Sequence, residues 1–172
     1  TQSRSSAASD VYKRQVILFR ASEAPWRFTD DKELWKLTEP QPKMGWARVT
    51  DGPYLYRAQN GELLMLWTSF SNTAYTCGFA RSVSGEITGP WKQEPEPLFS
   101  QDGGHSMLFT RFDGTLMMCL HSPNRPGKER MLLFEMEDDF GRLHIRNEVT
   151  GNWMYNKYTE DGSDKGPYGE KE

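Results

Sequence analysis

The sequence predicts an all-β fold of short antiparallel strands. Three observations carry that prediction. Runs of alternating or continuous apolar residues four to ten long recur from Tyr54 to Arg146. Asn60-Gly61 and Asp113-Gly114 sit between such runs, and Asn-Gly and Asp-Gly accept the positive φ angles of tight hairpin turns. The composition is 13% aromatic, with 15 Gly and 10 Pro, which favours strands joined by turns over helices.

Taken in order, the first segment is Thr1 to Gln15. Val11 and Tyr12 are its only large apolar residues, so it has little surface to bury against its ordering entropy. No apolar run follows its charges as a secretory signal requires. The string SSAASDVYKRQ resembles translated sequencing-adapter read-through. Residues 1–15 are therefore expected to be non-native or disordered, with the working chain starting near Val16 inside a longer reading frame. VILFR (Val16 to Arg20) reads as one short buried strand. Ala21 to Ala47, with Pro25, Pro40, Pro42 and three Trp, reads as a long connecting loop with one helical turn near Asp31 to Lys36.

Strands are then expected at Tyr54–Arg57, Leu63–Phe70 and Tyr75–Ser82, with a short edge at Trp91. A second series follows at Met107–Phe112, Leu116–His121, Arg130–Glu137 and Leu143–Arg146. From Gly151 the chain turns polar and Gly-rich, giving a domain over 16–150 and a polar tail over 151–172. YLYRAQNGELLMLW and MLFTRFDGTLMMCL align without gaps, Met107 standing 53 positions after Tyr54, with their turns coincident. A period near 50 with several short strands per unit fits propeller blades. A β-sandwich offers similar hairpins and stays open on pattern alone. In a propeller the start of each blade's first strand crowds the pore, which places Asp51 of one unit and His105 of the next in one region.

Other classes are narrowed by charge and composition. Net charge is -3 with 21 basic and 24 acidic residues interspersed, and no basic stripe or RNA-binding motif points to nucleic acid. No apolar run approaches a membrane-spanning helix of about 20 residues. Cys77 and Cys119 lie in apolar runs without metal-ligand spacing and read as buried thiols.

The runs VTDGPYLYRAQNGELLMLWTSFS, GFARSVSGEITGPW, PLFSQDGGHSMLF, LHSPN and ERMLLFEM together resemble the later blades of family 43 glycoside hydrolases, and VILFRASEAPW resembles the end of the blade before them. The resemblance implies a partial five-bladed β-propeller of about three antiparallel blades. It implies removal of arabinose, xylose or related sugars from plant polysaccharides by inversion. In that family one Asp activates water, a second Asp tunes and orients the acid, and a Glu in a Glu-Gly-Pro-like motif donates the proton. Inversion sets acid and base about 6.5–9.5 Å apart. Here the motif reads TDGP, so Asp51 takes the acid position with a side chain about 1.5 Å shorter. Counterparts of the other two carboxylates are expected upstream of Val16, leaving the chain inactive alone.

The resemblance also assigns His105 and Arg130 to sugar binding. It implies no required cofactor, with calcium at the propeller centre as an option. The expected partner is an oligosaccharide or polysaccharide, not nucleic acid or membrane, with the chain a monomer and its family often exported. A non-catalytic carbohydrate-binding propeller is the alternative kept open by the Glu-to-Asp change. Each assignment competes with a plainer one: Asp51 as a turn former, His105 as a core histidine, Arg130 as a surface cation. His121 reads as structural at the pocket border, and Glu23 as a second carboxylate outside the motif. Trp26, Trp35 and Trp46 read as covers for core edges, and Glu135, Glu137, Asp138 and Asp139 as a solvated face.

Overall fold

The computed structural model describes residues 16–27 and 49–149. Eight strands form two four-stranded antiparallel sheets, each a meander in sequence order. The first holds β1 (Asp51–Arg57), β2 (Leu63–Phe70), β3 (Tyr75–Ser82) and β4 (Trp91–Gln93). The second holds β5 (Gly104–Thr110), β6 (Leu116–Ser122), β7 (Arg130–Asp139) and β8 (Arg142–Glu148). The strand expectations hold for every member of both series, with ends displaced by a few residues. Strands of a Greek-key sandwich would pass between sheets, whereas here each sheet closes on its own consecutive strands, as propeller blades do.

Residue alternation explains how the sheets stack. On β2, Leu64, Leu66 and Thr68 are fully buried toward the second sheet, where Leu108, Met118, Leu120, Leu132, Phe134 and Met136 complete one core. Its other face carries Leu63, Met65 and Trp67, covered by the segment 16–27. β2 therefore reads as a continuous apolar run because both of its faces are dry. Phe19 and Trp26 lie 5.0 and 4.9 Å from Trp67, ring to ring. Trp26 also presses on Gly78, where a Cβ would stand 2.4 Å from its ring. Each fully buried large side chain here contributes about 1.5–3 kcal/mol.

Four expectations need correction. Val16–Arg20 forms no strand; Leu18 and Phe19 instead lie against Leu63, Met65, Ala80 and Trp91 as a covering segment, followed by a single 3-10 turn at Ala21–Glu23. The described residues thus make two blades where about three were expected. The acidic group of β7 is not simply a solvated face. Asp138 is buried, and its carboxylate accepts bonds from Tyr56 Oη (2.9 Å), the Gln59 amide (2.7 Å) and the Gly141 amide (2.7 Å), tying β1 of one sheet to the last hairpin of the other. Cys77 is buried as expected, but Cys119 is only half-buried; both are free thiols. Residues 1–15, the turn near Asp31 to Lys36, Trp35, Trp46 and the tail 151–172 lie outside the described residues.

Candidate active site at the junction of the two sheets

Both first strands open on the same irregularity. On β1, Asp51 pairs with Thr68 and Tyr54 with Leu66, so three steps on one strand match two on the other. On β5, Gly104 pairs with His121 and Met107 with Cys119, the same bulge at the equivalent place. A bulge bends its strand and re-aims side chains. Inside it, Gly52 has φ +51° and His105 has φ 51°, so one left-handed slot holds glycine in the first blade and histidine in the second. Holding a non-glycine residue there costs about 1–2 kcal/mol, and such strain gathers where function requires it.

The two bulges touch. A Cβ on Gly52 would stand 2.8 Å from His105 Cα, and one on Gly104 would stand 2.2 Å from Thr68 Cγ2. Backbone this close brings the side chains together. His105 Nε2 lies 2.9 Å from Asp51 Oδ1. Tyr75 Oη donates to Asp51 Oδ2 at 2.8 Å and lies 3.2 Å from His105 Nδ1. The Gly52 amide also donates to Asp51 Oδ1, at 3.0 Å. The His105 amide is held by Thr68 Oγ1 at 3.1 Å. Burial, then the hydrogen bond and the charge of Asp51, push the Tyr75 hydroxyl well above its usual range, so it stays protonated.

His121 stacks on Tyr75 with ring centres 5.7 Å apart and lies 5.5 Å from His105. Its Nε2 meets Asn124 Oδ1 at 3.2 Å. Arg130, next to the end of β6, lines a shallow hollow of about 210 Å³ with His105, His121, Glu129 and Met131. The structure thus gathers Asp51, His105, Arg130 and His121 at one end of the two sheets. Glu23 is apart from them, its carboxylate capping the Arg20 amide at 3.0 Å. Trp26 serves as cover over Trp67. Tyr75 escaped sequence reasoning. Its only signal was a position at the start of an inner strand, and a tyrosine there reads as core.

Calcium takes six to eight oxygen ligands. Here both Asp51 oxygens already accept hydrogen bonds and both His105 nitrogens have partners, so the described residues do not fit such an ion by themselves. Among the described residues no cluster of three or more His, Cys, Asp or Glu is arranged to hold a metal, and no helix is long and apolar enough to cross a membrane.

Two consecutive meander sheets that crowd their bulged first strands around a polar cluster are blades of a propeller. Solved structures with a similar fold include glycosidases. The chain is similar to an endo-arabinase from Bacteroides thetaiotaomicron VPI-5482, at 39% identity and a TM-score of 0.58, over 74% of this chain and 42% of that one. It shares its fold with an endo-1,4-beta-xylanase from the same organism, at 24% identity and a TM-score of 0.50, over 58% of this chain and 38% of that one. The chain therefore spans less than half the length of either protein. The resemblance to family 43 glycoside hydrolases carried by the sequence motifs is matched by this likeness in three dimensions. No family model and no curated protein matches the chain.

Proposed function

We propose that the chain supplies one wall of the sugar cleft of an inverting, family 43-like glycosidase acting on arabinose- or xylose-containing plant polysaccharides. Asp51 is the general acid for the leaving glycosidic oxygen, and His105 and Arg130 bind sugar hydroxyls beside it. The observation that supports this reading most is the meeting of Asp51 and His105, delivered by matching bulges of two blades, with Asp51 in the TDGP motif. A pairing of the same bulge with two different polar side chains serves a ligand better than it serves packing. The carboxylates that activate water and tune the acid belong to other parts of the parent protein, so this chain binds but does not cleave.

A second reading, a carbohydrate-binding propeller without catalysis, is favoured by one observation: among the described residues, the Gly52 amide, the Tyr75 hydroxyl and His105 Nε2 all donate to the Asp51 carboxylate. Titrating the chain with arabino- and xylo-oligosaccharides by calorimetry tests the shared part. Binding that Asp51→Asn weakens and His105→Gly abolishes supports the cleft, and no binding at millimolar ligand overturns it. Hydrolysis by a full-length homologue, with and without Asp51→Asn on a natural oligosaccharide, separates the two. Unchanged kcat in the variant removes Asp51 from the acid role.

A further inference from the structure

The contacts of Tyr75 cannot all be satisfied in every protonation state. His105 Nε2–H donates to Asp51 Oδ1, and the Tyr75 hydroxyl donates to Asp51 Oδ2 at 2.8 Å. The remaining contact, Nδ1 to Tyr75 Oη at 3.2 Å, then needs a hydrogen of its own. An imidazolium supplies it from Nδ1. With a neutral ring the Tyr75 hydrogen must leave Asp51 to reach Nδ1. All three contacts also survive in one other arrangement with the same number of protons: neutral His105 accepting from Tyr75, and Asp51 protonated on Oδ2.

We propose that Tyr75 is a positioning residue that relays one proton between His105 Nδ1 and Asp51 Oδ2, so that His105 loads the acid. This rests on the acid role proposed for Asp51. In the step, the Nδ1–H bond breaks as a new O–H bond forms on Tyr75. The original Tyr75 O–H bond breaks as one forms on Asp51 Oδ2. The imidazolium and carboxylate charges cancel, and no electrons change hands. The new acid hydroxyl turns about its C–O bond toward the cleft, which Asp51 reaches because its side chain is 40% exposed. Donation to the leaving oxygen returns Asp51 to the carboxylate, and protonation of His105 from solvent resets the triad.

The geometry suits a relay. Tyr75 is 2% exposed, so water does not compete at its hydroxyl. Its ring is clamped between Phe70, 5.0 Å away, and His121. The groups that face His105 are Asp51 from β1, Tyr75 from β3, His121 from β6, and Glu129 and Arg130 at the start of β7. Of these, Asp51 is the one at ion-pair distance among the described residues, with Oδ1 2.9 Å from His105 Nε2.

Nuclear magnetic resonance of the whole chain tests the relay without any sugar. Ring nitrogens of His105 report tautomer and hydrogen bonding across the range of about pH 5 to 8 in which histidine titrates. Neutral His105 is expected as the Nε2–H tautomer with Nδ1 hydrogen-bonded. Tyr75→Phe, which keeps the ring and its packing, is expected to move Nδ1 to the position of a free imine nitrogen and to shift the Asp51 carboxyl carbon. An Nδ1–H tautomer in the unmodified protein overturns the relay even if the variant fails to fold. So does an Nδ1 resonance that Tyr75→Phe leaves in place. Failure to bind sugar with these signals intact would sink the glycosidase reading instead, so the two are separable.

Discussion

His105 Nε2 lies 2.9 Å from Asp51 Oδ1, and the two residues come from the first strands of different sheets. Both side chains are close to half exposed, at 48% and 40%, so the pair is worth no more than about 1 kcal/mol to folding. Asp51→Asn should change stability by under about 1 kcal/mol in urea denaturation. It should weaken oligosaccharide binding by about tenfold or more, as loss of a charge-assisted hydrogen bond of about 1.5–3 kcal/mol implies.

The left-handed slot gives a sharper version of that contrast. His105 occupies at φ 51° the place that Gly52 occupies in the first blade. His105→Gly removes backbone strain of about 1–2 kcal/mol while losing an ion pair worth less. The variant should be at least as stable as the parent by thermal unfolding, yet bind no sugar. A large loss of stability would show that His105 is held for the fold.

Gly104 has the opposite character. A methyl there would meet Thr68 Cγ2 at 2.2 Å and Tyr75 Cε1 at 2.6 Å, both inside the packed junction. Gly104→Ala should cost about 2–3 kcal/mol as overpacking. It should also displace Tyr75, visible as altered ring signals of His105 and His121. Gly114→Ala is the control: φ is +89° but nothing lies within 4 Å, so only strain of about 1–2 kcal/mol is expected and the junction is untouched.

Much of this was legible in the sequence because the two blades repeat. Turn chemistry at Asn60-Gly61 and Asp113-Gly114, with apolar runs on either side, defines the hairpins without further information. The convergence of Asp51 and His105 followed from their places in that repeat. Three things were not legible. Val16–Arg20 has the composition of a strand, yet it covers a sheet face, because its partners are side chains and not a neighbouring ladder. Asp138 looked solvated because three acidic neighbours surround it, and its donors come from distant Tyr56 and Gln59. Tyr75 was hidden because burial and a polar role look alike in one letter.

Asp138 itself is a test of inter-sheet cohesion. Removing its carboxylate leaves the Tyr56 hydroxyl and the amides of Gln59 and Gly141 without their acceptor. Asp138→Ala should cost about 3 kcal/mol, the scale of breaking a buried charged hydrogen-bond network. Equilibrium denaturation reads the loss directly, and a cost under about 1 kcal/mol would mean that water replaces the carboxylate.

Alkaline pH probes the same contact. Burial, then the hydrogen bond to Asp138, pushes the Tyr56 hydroxyl from 10.0 up to about 12. Because the folded value is raised, the stabilising contribution is fully present below pH 10 and is lost as the pH rises through about 12. Tyr75 shifts in the same direction for the same reasons, burial first and Asp51 second. Stability should therefore fall steadily above pH 10, with Tyr56→Phe flattening part of the slope. A profile identical in the variant would place the loss elsewhere.

The two thiols should separate cleanly under a water-soluble labelling reagent. Cys77 is wholly buried, its Sγ 3.0 Å from Ser106 Oγ, and burial pushes its thiol up to about 11. Only the thiolate attacks, so low thiolate content and lack of access act together. Cys119 is half-buried and its thiol is raised by burial too, but it faces the side of the second sheet that carries exposed Met107 and Met131. One equivalent of label should therefore enter the native protein, at Cys119. The second should follow only with global unfolding, at a rate that tracks denaturant. Rapid labelling of Cys77 in native buffer would show that the junction beneath Ser106 opens locally, and that the site is looser than its contacts imply.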